Sequence, residues 1–207
     1  MEIKDLRKTL LVFSAAVFGI TALAVLTIQF ADLSRKEIPI YAAVPAFQFQ
    51  DQDGNPFTEK NLRGKITVLD FFFTRCPSAC PVMSKQLEEL YKLYASSDKV
   101  QFVSITVDPQ HDTPDVLRDY AKDHSVVDDR WKFLRGSIQD VITLSEKGCL
   151  LPAENLPAGH STKFVLIDQD AQIRGYFASG EPASLSVLKS NIRELARPLI
   201  AQTASTK

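Results

Sequence analysis

A strand, a cysteine pair and a helix in direct succession constrain the fold of this chain more than any other feature. The predominantly apolar run Lys65–Phe73 is followed by Cys76 and Cys80, and then by apolar residues spaced three to four apart. The run predicts a buried strand and the spacing predicts an amphipathic helix. Because Pro77 and Pro81 disfavour helical backbone at the residues before them, we predict that the helix begins at about Pro81 and that Cys80 caps it.

The two cysteines are the main candidates for chemistry. A strand that leads through a cysteine loop into a helix is the thioredoxin-like way of presenting sulfur at a surface, although the spacing here is one residue longer than C-x-x-C. The positive end of the helix dipole favours a thiolate at such a place, and Arg75 and Lys85 add positive charge nearby. We therefore predict that at least one thiol ionises readily, and that the pair can form a disulfide or bind one soft metal ion.

An imidazole would complete a metal site, and His160 is the best placed of the three histidines. It lies just before Lys163–Asp168, which is predicted to be a buried strand. In a thioredoxin-like sheet the loop that enters this strand faces the cysteine loop. Two thiolates and one imidazole suit Cu(I) or Cu(II), whereas structural zinc normally takes four ligands and only three can be named here.

Three segments resemble the Sco/SenC copper-binding proteins, which assemble cytochrome c oxidase. They are Phe73–Pro81, Ser104–Pro114 and the pair His160–Ser161 before a strand. The resemblance covers most of the chain from about residue 45 onward. It departs at His111, where the family usually has arginine, and at Gly159, where it usually has an acidic residue.

The resemblance implies that Cys76, Cys80 and His160 bind copper. It also implies that Asp108 lies near the site, as a hydrogen-bond acceptor or an occasional ligand. Family members deliver copper to the dinuclear CuA centre of oxidase subunit II, or keep the cysteines of that subunit reduced. The implied role is therefore a copper chaperone rather than an enzyme, with subunit II or another copper acceptor as one partner and a copper donor chaperone as another.

Other functions fit the same residues and stay open. A thiol-disulfide reductase would use Cys76 and Cys80 as a redox-active disulfide, and redox exchange and metal binding involve the same atoms. A structural disulfide is a third interpretation in an oxidising compartment. A thiol peroxidase does not fit, because its P-x-x-x-T-x-x-C pattern needs proline and threonine where the chain has Leu69 and Phe73. His160 discriminates between carrier and reductase, because a reductase needs no imidazole.

Four residues with suitable chemistry have simpler interpretations. Cys149 is predicted to be a core residue, and Met83 belongs to the apolar face of the predicted helix. His124 is expected to be a cation at a helix C-terminus, and His111 a solvated loop residue.

The N-terminal region contains a candidate membrane span. Residues 10–30 carry no charge and are long enough to cross a bilayer as a helix. We predict a bacterial signal anchor in the inner membrane, with residues 1–9 in the cytoplasm and the soluble domain in the periplasm. A cleaved signal peptide is the competing interpretation, but its small-residue site, Ala22–Ala24, falls inside the apolar run.

The remainder of the 207 residues is predicted to form one α/β domain with a thioredoxin-like fold and an N-terminal β-hairpin. It covers residues 45–200, after a linker at 31–44 and before a tail at 201–207. The expected elements are strands at 65–73 and 100–107, hairpins around 51–56 and 169–171, and helices at 113–123, 137–147 and 183–197. The net charge of -1 gives no electrostatic reason to expect nucleic-acid binding.

Overall fold

A computed structural model of the chain describes residues 13–14, 17–27 and 37–205. The chain divides into two compact units, residues 1–37 and 38–207. The described residues before 28 are helical. Within the described ranges, no helix has both the length and the apolar character needed to cross a membrane. The predicted span at 10–30 includes residues that lie outside these ranges, so it stays a prediction.

A mixed sheet of eight strands organises residues 38–207. In chain order the strands are β1 (Ala42–Ala43), β2 (Gln48–Asp51), β3 (Pro56–Thr58), β4 (Ile66–Phe72), β5 (Val100–Thr106), β6 (Trp131–Arg135), β7 (Lys163–Ile167) and β8 (Gln172–Ala178). Their order across the sheet is β1-β8-β7-β4-β5-β6-β2-β3. The three strands β4, β5 and β6 are parallel, and the other neighbouring pairs are antiparallel.

Helices connect the parallel strands, as crossover connections require. The helices are α1 (Ala79–Leu93), α2 (Pro114–Asp123), α3 (Ile138–Thr143), which continues as a π-helical turn at Leu144–Gly148, and α4 (Pro182–Ser205). A short 3-10 helix, Glu59–Leu62, follows β3. Strands β4 and β5 are buried along their whole length, so both faces of the central sheet are covered. The carboxyl ends of β4 and β5 therefore open onto loops at one edge of a rigid, buried sheet.

Most predicted elements are present. Both hairpins form, β2 with β3 and β7 with β8. Helix α2 begins as predicted, because the Thr113 side chain accepts the N–H of Val116 and Pro114 occupies the first turn. The predicted α/β architecture with an N-terminal hairpin is therefore confirmed.

Strand β1, which lies inside the predicted linker, and the short 3-10 helix are not among the predicted elements. Two further elements differ from the predictions for clear physical reasons. Strand β6 was not predicted, because its five residues mix two basic side chains with apolar ones and follow an acidic segment. Helix α4 does not end before Pro198 but continues through it to Ser205. Pro198 lies on the exposed side of the helix, so the helix continues through a residue that periodicity and proline rules predict as its end.

Candidate metal centre

The cysteine loop, residues 73–78, joins β4 to α1 at the carboxyl edge of the parallel strands. Helix α1 begins at Ala79, so Cys80 lies in its first turn. The prediction that the helix begins at Pro81 and that Cys80 caps it is wrong. Pro81 fits inside the first turn because the N–H groups there have no helical acceptor. A residue without an N–H therefore removes no helical hydrogen bond at this position.

The sulfur of Cys76 takes the capping role instead. The N–H of Cys80 donates to Cys76 Sγ at 3.4 Å, whereas the Ser78 side chain makes no capping hydrogen bond. Burial alone would raise the pKa of Cys76, but hydrogen bonds from the backbone of Cys80 and then of Ser78 lower it to about 6. The prediction of one readily ionised thiol is confirmed, for Cys76.

Cys80 has the opposite environment. Its side chain is 1% exposed, and burial raises its pKa well above the usual range. The nearby Cys76 and the negative field of Asp70 raise it further. In the metal-free protein Cys80 is therefore a neutral thiol, and its sulfur lies 3.3 Å from His160 Nε2.

His160 closes the group from the loop before β7. Its Nδ1 lies 3.0 Å from the carbonyl oxygen of Ser161. Because a carbonyl can only accept, the ring proton is on Nδ1, and the lone pair of Nε2 faces Cys80 Sγ. The Phe73 ring packs edge-on against the imidazole, with ring centroids 5.6 Å apart. The imidazole is thus buried, with an exposure of 8%, and its unprotonated Nε2 is directed toward the sulfurs.

Gly159 explains why no acidic residue precedes this histidine. A Cβ at position 159 would lie 2.0 Å from the carbonyl oxygen of Glu154, which is far inside van der Waals contact. The N–H of Gly159 also donates to the Asn155 carbonyl at 3.0 Å. The tight loop therefore admits glycine only, and the Ser161 carbonyl orients His160 in place of a neighbouring carboxylate.

The structure brings the three predicted ligand residues together. The ligand atoms of Cys76, Cys80 and His160 all lie within 4.8 Å of one another, and both cysteines are free. Two sulfurs and one imidazole nitrogen form a soft donor set that suits copper, so the residues present fit a copper ion. Tetrahedral structural zinc would need a fourth ligand, and no larger group of this kind exists among the described residues.

Asp108 lies beside this group without joining it. Its carboxylate accepts a hydrogen bond from the Arg75 guanidinium at 2.7 Å. Arg75 is the neighbour of Cys76, so the ion pair links the cysteine loop to the loop between β5 and α2. The role of Asp108 as an occasional ligand stays a prediction.

Asp70 is a residue of the site that the sequence argument missed. It lies on β4 with no solvent exposure, and neither carboxylate oxygen has a hydrogen-bond partner. Burial raises the pKa of Asp70 to about 7, against a smaller lowering effect from the polar side chain of Ser104. The signal in the sequence is a single acidic residue inside an otherwise apolar strand.

The four residues with simpler interpretations lie where those interpretations place them. Cys149 is fully buried, and burial raises its pKa to about 12. Met83 is fully buried on the inner face of α1. His124 is the C-terminal cap of α2, with Nδ1 3.6 Å from a Glu88 oxygen. His111 is a partly exposed loop residue.

Comparisons with known proteins agree with this geometry. A family model described as SCO1/SenC matches residues 36–197. The SCO1 protein homolog of Bacillus subtilis is 31% identical over 141 residues, which are 65% of this chain and 73% of that protein. A solved SCO1/SenC family lipoprotein from Bacillus anthracis is 31% identical with a TM-score of 0.70, covering 78% of this chain and 99% of that one.

A solved structure of yeast Sco1 with copper bound is also similar. It is 26% identical with a TM-score of 0.60, covering 74% of this chain and 90% of that chain. The family-model match, at residues 36–197, spans both cysteines and the histidine. The predicted thioredoxin-like fold is therefore the fold of these solved proteins.

Proposed function

The chain belongs to the SCO1/SenC family, and on that premise we propose that it is a copper metallochaperone. It holds Cu(I) or Cu(II) on Cys76, Cys80 and His160 and assists assembly of the CuA centre of cytochrome c oxidase. One observation carries the proposal: the cysteine loop, the first turn of α1 and the loop before β7 bring two sulfurs and an imidazole nitrogen within 4.8 Å of one another, although Cys80 and His160 are 80 residues apart. A relative of similar fold, yeast Sco1, has been solved with copper bound.

The three ligands are prepared to different degrees. Cys76 is already a thiolate near neutral pH, because its pKa is about 6. His160 offers the Nε2 lone pair, because Ser161 holds the proton on Nδ1. Cys80 must lose its proton, and a bound cation supplies the positive charge that makes its thiolate favourable.

Release follows from the exposure of the ligands. Cys76 is partly exposed, whereas Cys80 and His160 are buried. Three protein ligands leave room for a thiolate or imidazole of the acceptor, which approaches from the side of Cys76. Because the incoming ligand joins before one of this chain leaves, the ion transfers without passing through water.

Reduction of a partner's cysteines is a second candidate, and the asymmetry of the pair favours it. Cys76 is a partly exposed thiolate, and Cys80 is a buried thiol with a raised pKa. The Cys76 thiolate attacks a partner disulfide and forms a mixed disulfide, releasing one partner thiolate. The Cys80 sulfur, on losing its proton, then displaces the second partner thiolate and leaves a Cys76–Cys80 disulfide, so two electrons pass to the partner.

Membrane anchoring is also part of the proposal. The uncharged run at 10–30 would hold the chain in the bacterial inner membrane as a single span, with the copper domain in the periplasm. The Bacillus anthracis relative is described as a lipoprotein, a class of protein attached to a membrane surface. Oxidase subunit II as acceptor and a copper donor chaperone are the proposed partners.

An anaerobic copper titration of the reduced full-length chain tests the carrier function. We expect one-to-one binding with thiolate-to-copper charge-transfer absorption, weakened in Cys76→Ser, Cys80→Ser and His160→Ala. Cys149→Ala removes a thiol outside the site and serves as the matched control. Binding that is indifferent to His160→Ala, together with a readily reducible Cys76–Cys80 disulfide, would replace the carrier function by the reductase.

A further inference from the structure

Asp112, a fully buried carboxylate, holds the cysteine loop in place through hydrogen bonds from Thr74. We propose that it is a positioning residue for the copper site, fixing Cys76 where the three ligands meet. The inference rests on the proposed function of that site. None of the hydrogen bonds of the Asp112 side chain goes to a ligand residue. Asp112 therefore acts through Thr74, two residues before Cys76.

The Asp112 carboxylate has no solvent exposure and is fully engaged. The Thr74 N–H donates to Oδ2 at 3.2 Å, and the Thr74 hydroxyl donates to Oδ1 at 2.5 Å. The Thr106 hydroxyl, at the end of β5, also donates to Oδ2. Both oxygens thus accept hydrogen bonds, from the loop that follows β4 and from the end of β5. Hydrogen bonds to a charged acceptor are stronger than those between neutral groups.

The cysteine loop needs this support because it lacks regular structure. Residues 73–78 belong to neither β4 nor α1. Inside the loop, the Cys76 N–H donates to the Phe73 carbonyl at 3.2 Å, so Thr74 lies within the turn that carries Cys76. Fixing both the N–H and the hydroxyl of Thr74 therefore fixes the backbone path to Cys76.

The other two ligands have independent support. Cys80 is held by α1, and His160 by the hydrogen bond of its Nδ1 to the Ser161 carbonyl. The Arg75–Asp108 ion pair is a second tie to the cysteine loop, but the Arg75 side chain is 59% exposed and such pairs contribute little. Cys76 is therefore the ligand whose position depends most on Asp112.

Asp112→Asn in the full-length chain tests the inference, because asparagine keeps the size but replaces one acceptor oxygen by a donor. We expect Cu(I) affinity, measured by competition with a chromophoric chelator, to fall about 10-fold to 100-fold. The charge-transfer spectrum of the Cu(II) complex should also shift. Thr74→Val should weaken binding in the same direction, and Thr74→Ser should restore it, because serine keeps the hydroxyl donor.

Asp168→Asn is the matched control. Asp168 is also buried, and it accepts hydrogen bonds from the Asp170 and Gln172 backbone and from Arg174. It follows the last residue of β7, at the opposite end of that strand from His160. Its loss should lower the unfolding temperature without changing copper affinity or the Cu(II) spectrum.

Two results would overturn the inference. One is an Asp112→Asn protein that loses stability as Asp168→Asn does but keeps the parent affinity and spectrum. The other, decisive if Asp112→Asn does not fold, is a Thr74→Val protein that binds copper like Thr74→Ser. A parent chain that binds no copper would instead refute the proposed function. In that case the positioning role is tested by the equilibrium constant between the Cys76–Cys80 disulfide and glutathione. If Asp112 positions Cys76, this constant should differ about 10-fold between Asp112→Asn and the parent.

Discussion

Two buried carboxylates near the group of Cys76, Cys80 and His160 have opposite surroundings. Asp112, on the loop side, accepts three hydrogen bonds from Thr74 and Thr106. Asp70, on the strand side, has no hydrogen-bond partner for either oxygen. Both have no solvent exposure, so the two differ in the donors that lie within hydrogen-bond distance rather than in burial. A buried carboxylate with donors holds structure together, whereas one without donors lowers stability whenever it is ionised.

The two carboxylates also have different roles at the site. Asp112 fixes the cysteine loop, and through it the position of one ligand. Asp70 acts through its negative charge: it adds to the effect of burial in raising the pKa of Cys80 and that of the partly buried Tyr120. Asp112 therefore affects the position of Cys76, whereas Asp70 affects the pKa of Cys80.

Removing the donor-rich carboxylate should have the largest effect. Asp112→Ala leaves the buried Thr106 hydroxyl and the half-buried N–H and hydroxyl of Thr74 without an acceptor. A buried group that loses its partner costs about 1 to 3 kcal/mol. We expect the free energy of unfolding to fall by about 4 kcal/mol, measured by urea denaturation of the metal-free protein. A loss below about 1 kcal/mol would show that the network is not structural.

Removing the donor-free carboxylate should have the opposite sign and depend on pH. The folded pKa of Asp70 is raised from 3.8 to about 7, so the folded state binds more protons than the unfolded state between those values. Stability therefore falls as pH rises through this window, by up to about 4 kcal/mol at pH 8. Asp70→Asn carries no ionisable group and should remove that loss.

The measurement for Asp70→Asn is urea denaturation at two pH values. The variant should be more stable than the parent by about 2 to 4 kcal/mol at pH 8, and close to the parent at pH 4, where the parent carboxyl is protonated. An advantage of the same size at both pH values would contradict an electrostatic origin. Equal stability at pH 8 would show that Asp70 is not held in an unfavourable environment.

The sequence predicts the ligands better than their supports. Cys76, Cys80 and His160 stand out because sulfur and imidazole are rare in this chain and adjoin predicted strands. The start of α1 was placed two residues late, because a proline was assigned to the first position of a helix that accommodates it later in the first turn. Local rules consider only one residue and its neighbours. They therefore do not distinguish between helix starts that differ by less than one turn.

The supports depend on contacts between distant segments. Asp112 and Thr74 are 38 residues apart, and nothing in either local sequence indicates that they meet. Asp70 is visible as an acidic residue in an apolar strand, but its lack of partners is a property of the packed sheet. The exclusion of side chains at Gly159 likewise follows from a backbone contact with Glu154 that only the folded loop creates.

The smallest effect should come from the exposed tie of the cysteine loop. Arg75→Ala removes the ion pair with Asp108, but the Arg75 side chain is 59% exposed, and exposed pairs contribute about 0 to 1 kcal/mol. We expect urea denaturation to show a loss below about 1 kcal/mol, and one that shrinks further in high salt because the charges are screened. If Arg75→Ala instead destabilised the protein as strongly as Asp112→Ala, the exposed ion pair with Asp108 would stabilise the cysteine loop as much as the hydrogen bonds to Asp112 do. The contrast between the two tethers would then reverse, and Arg75 rather than Asp112 would set the position of Cys76.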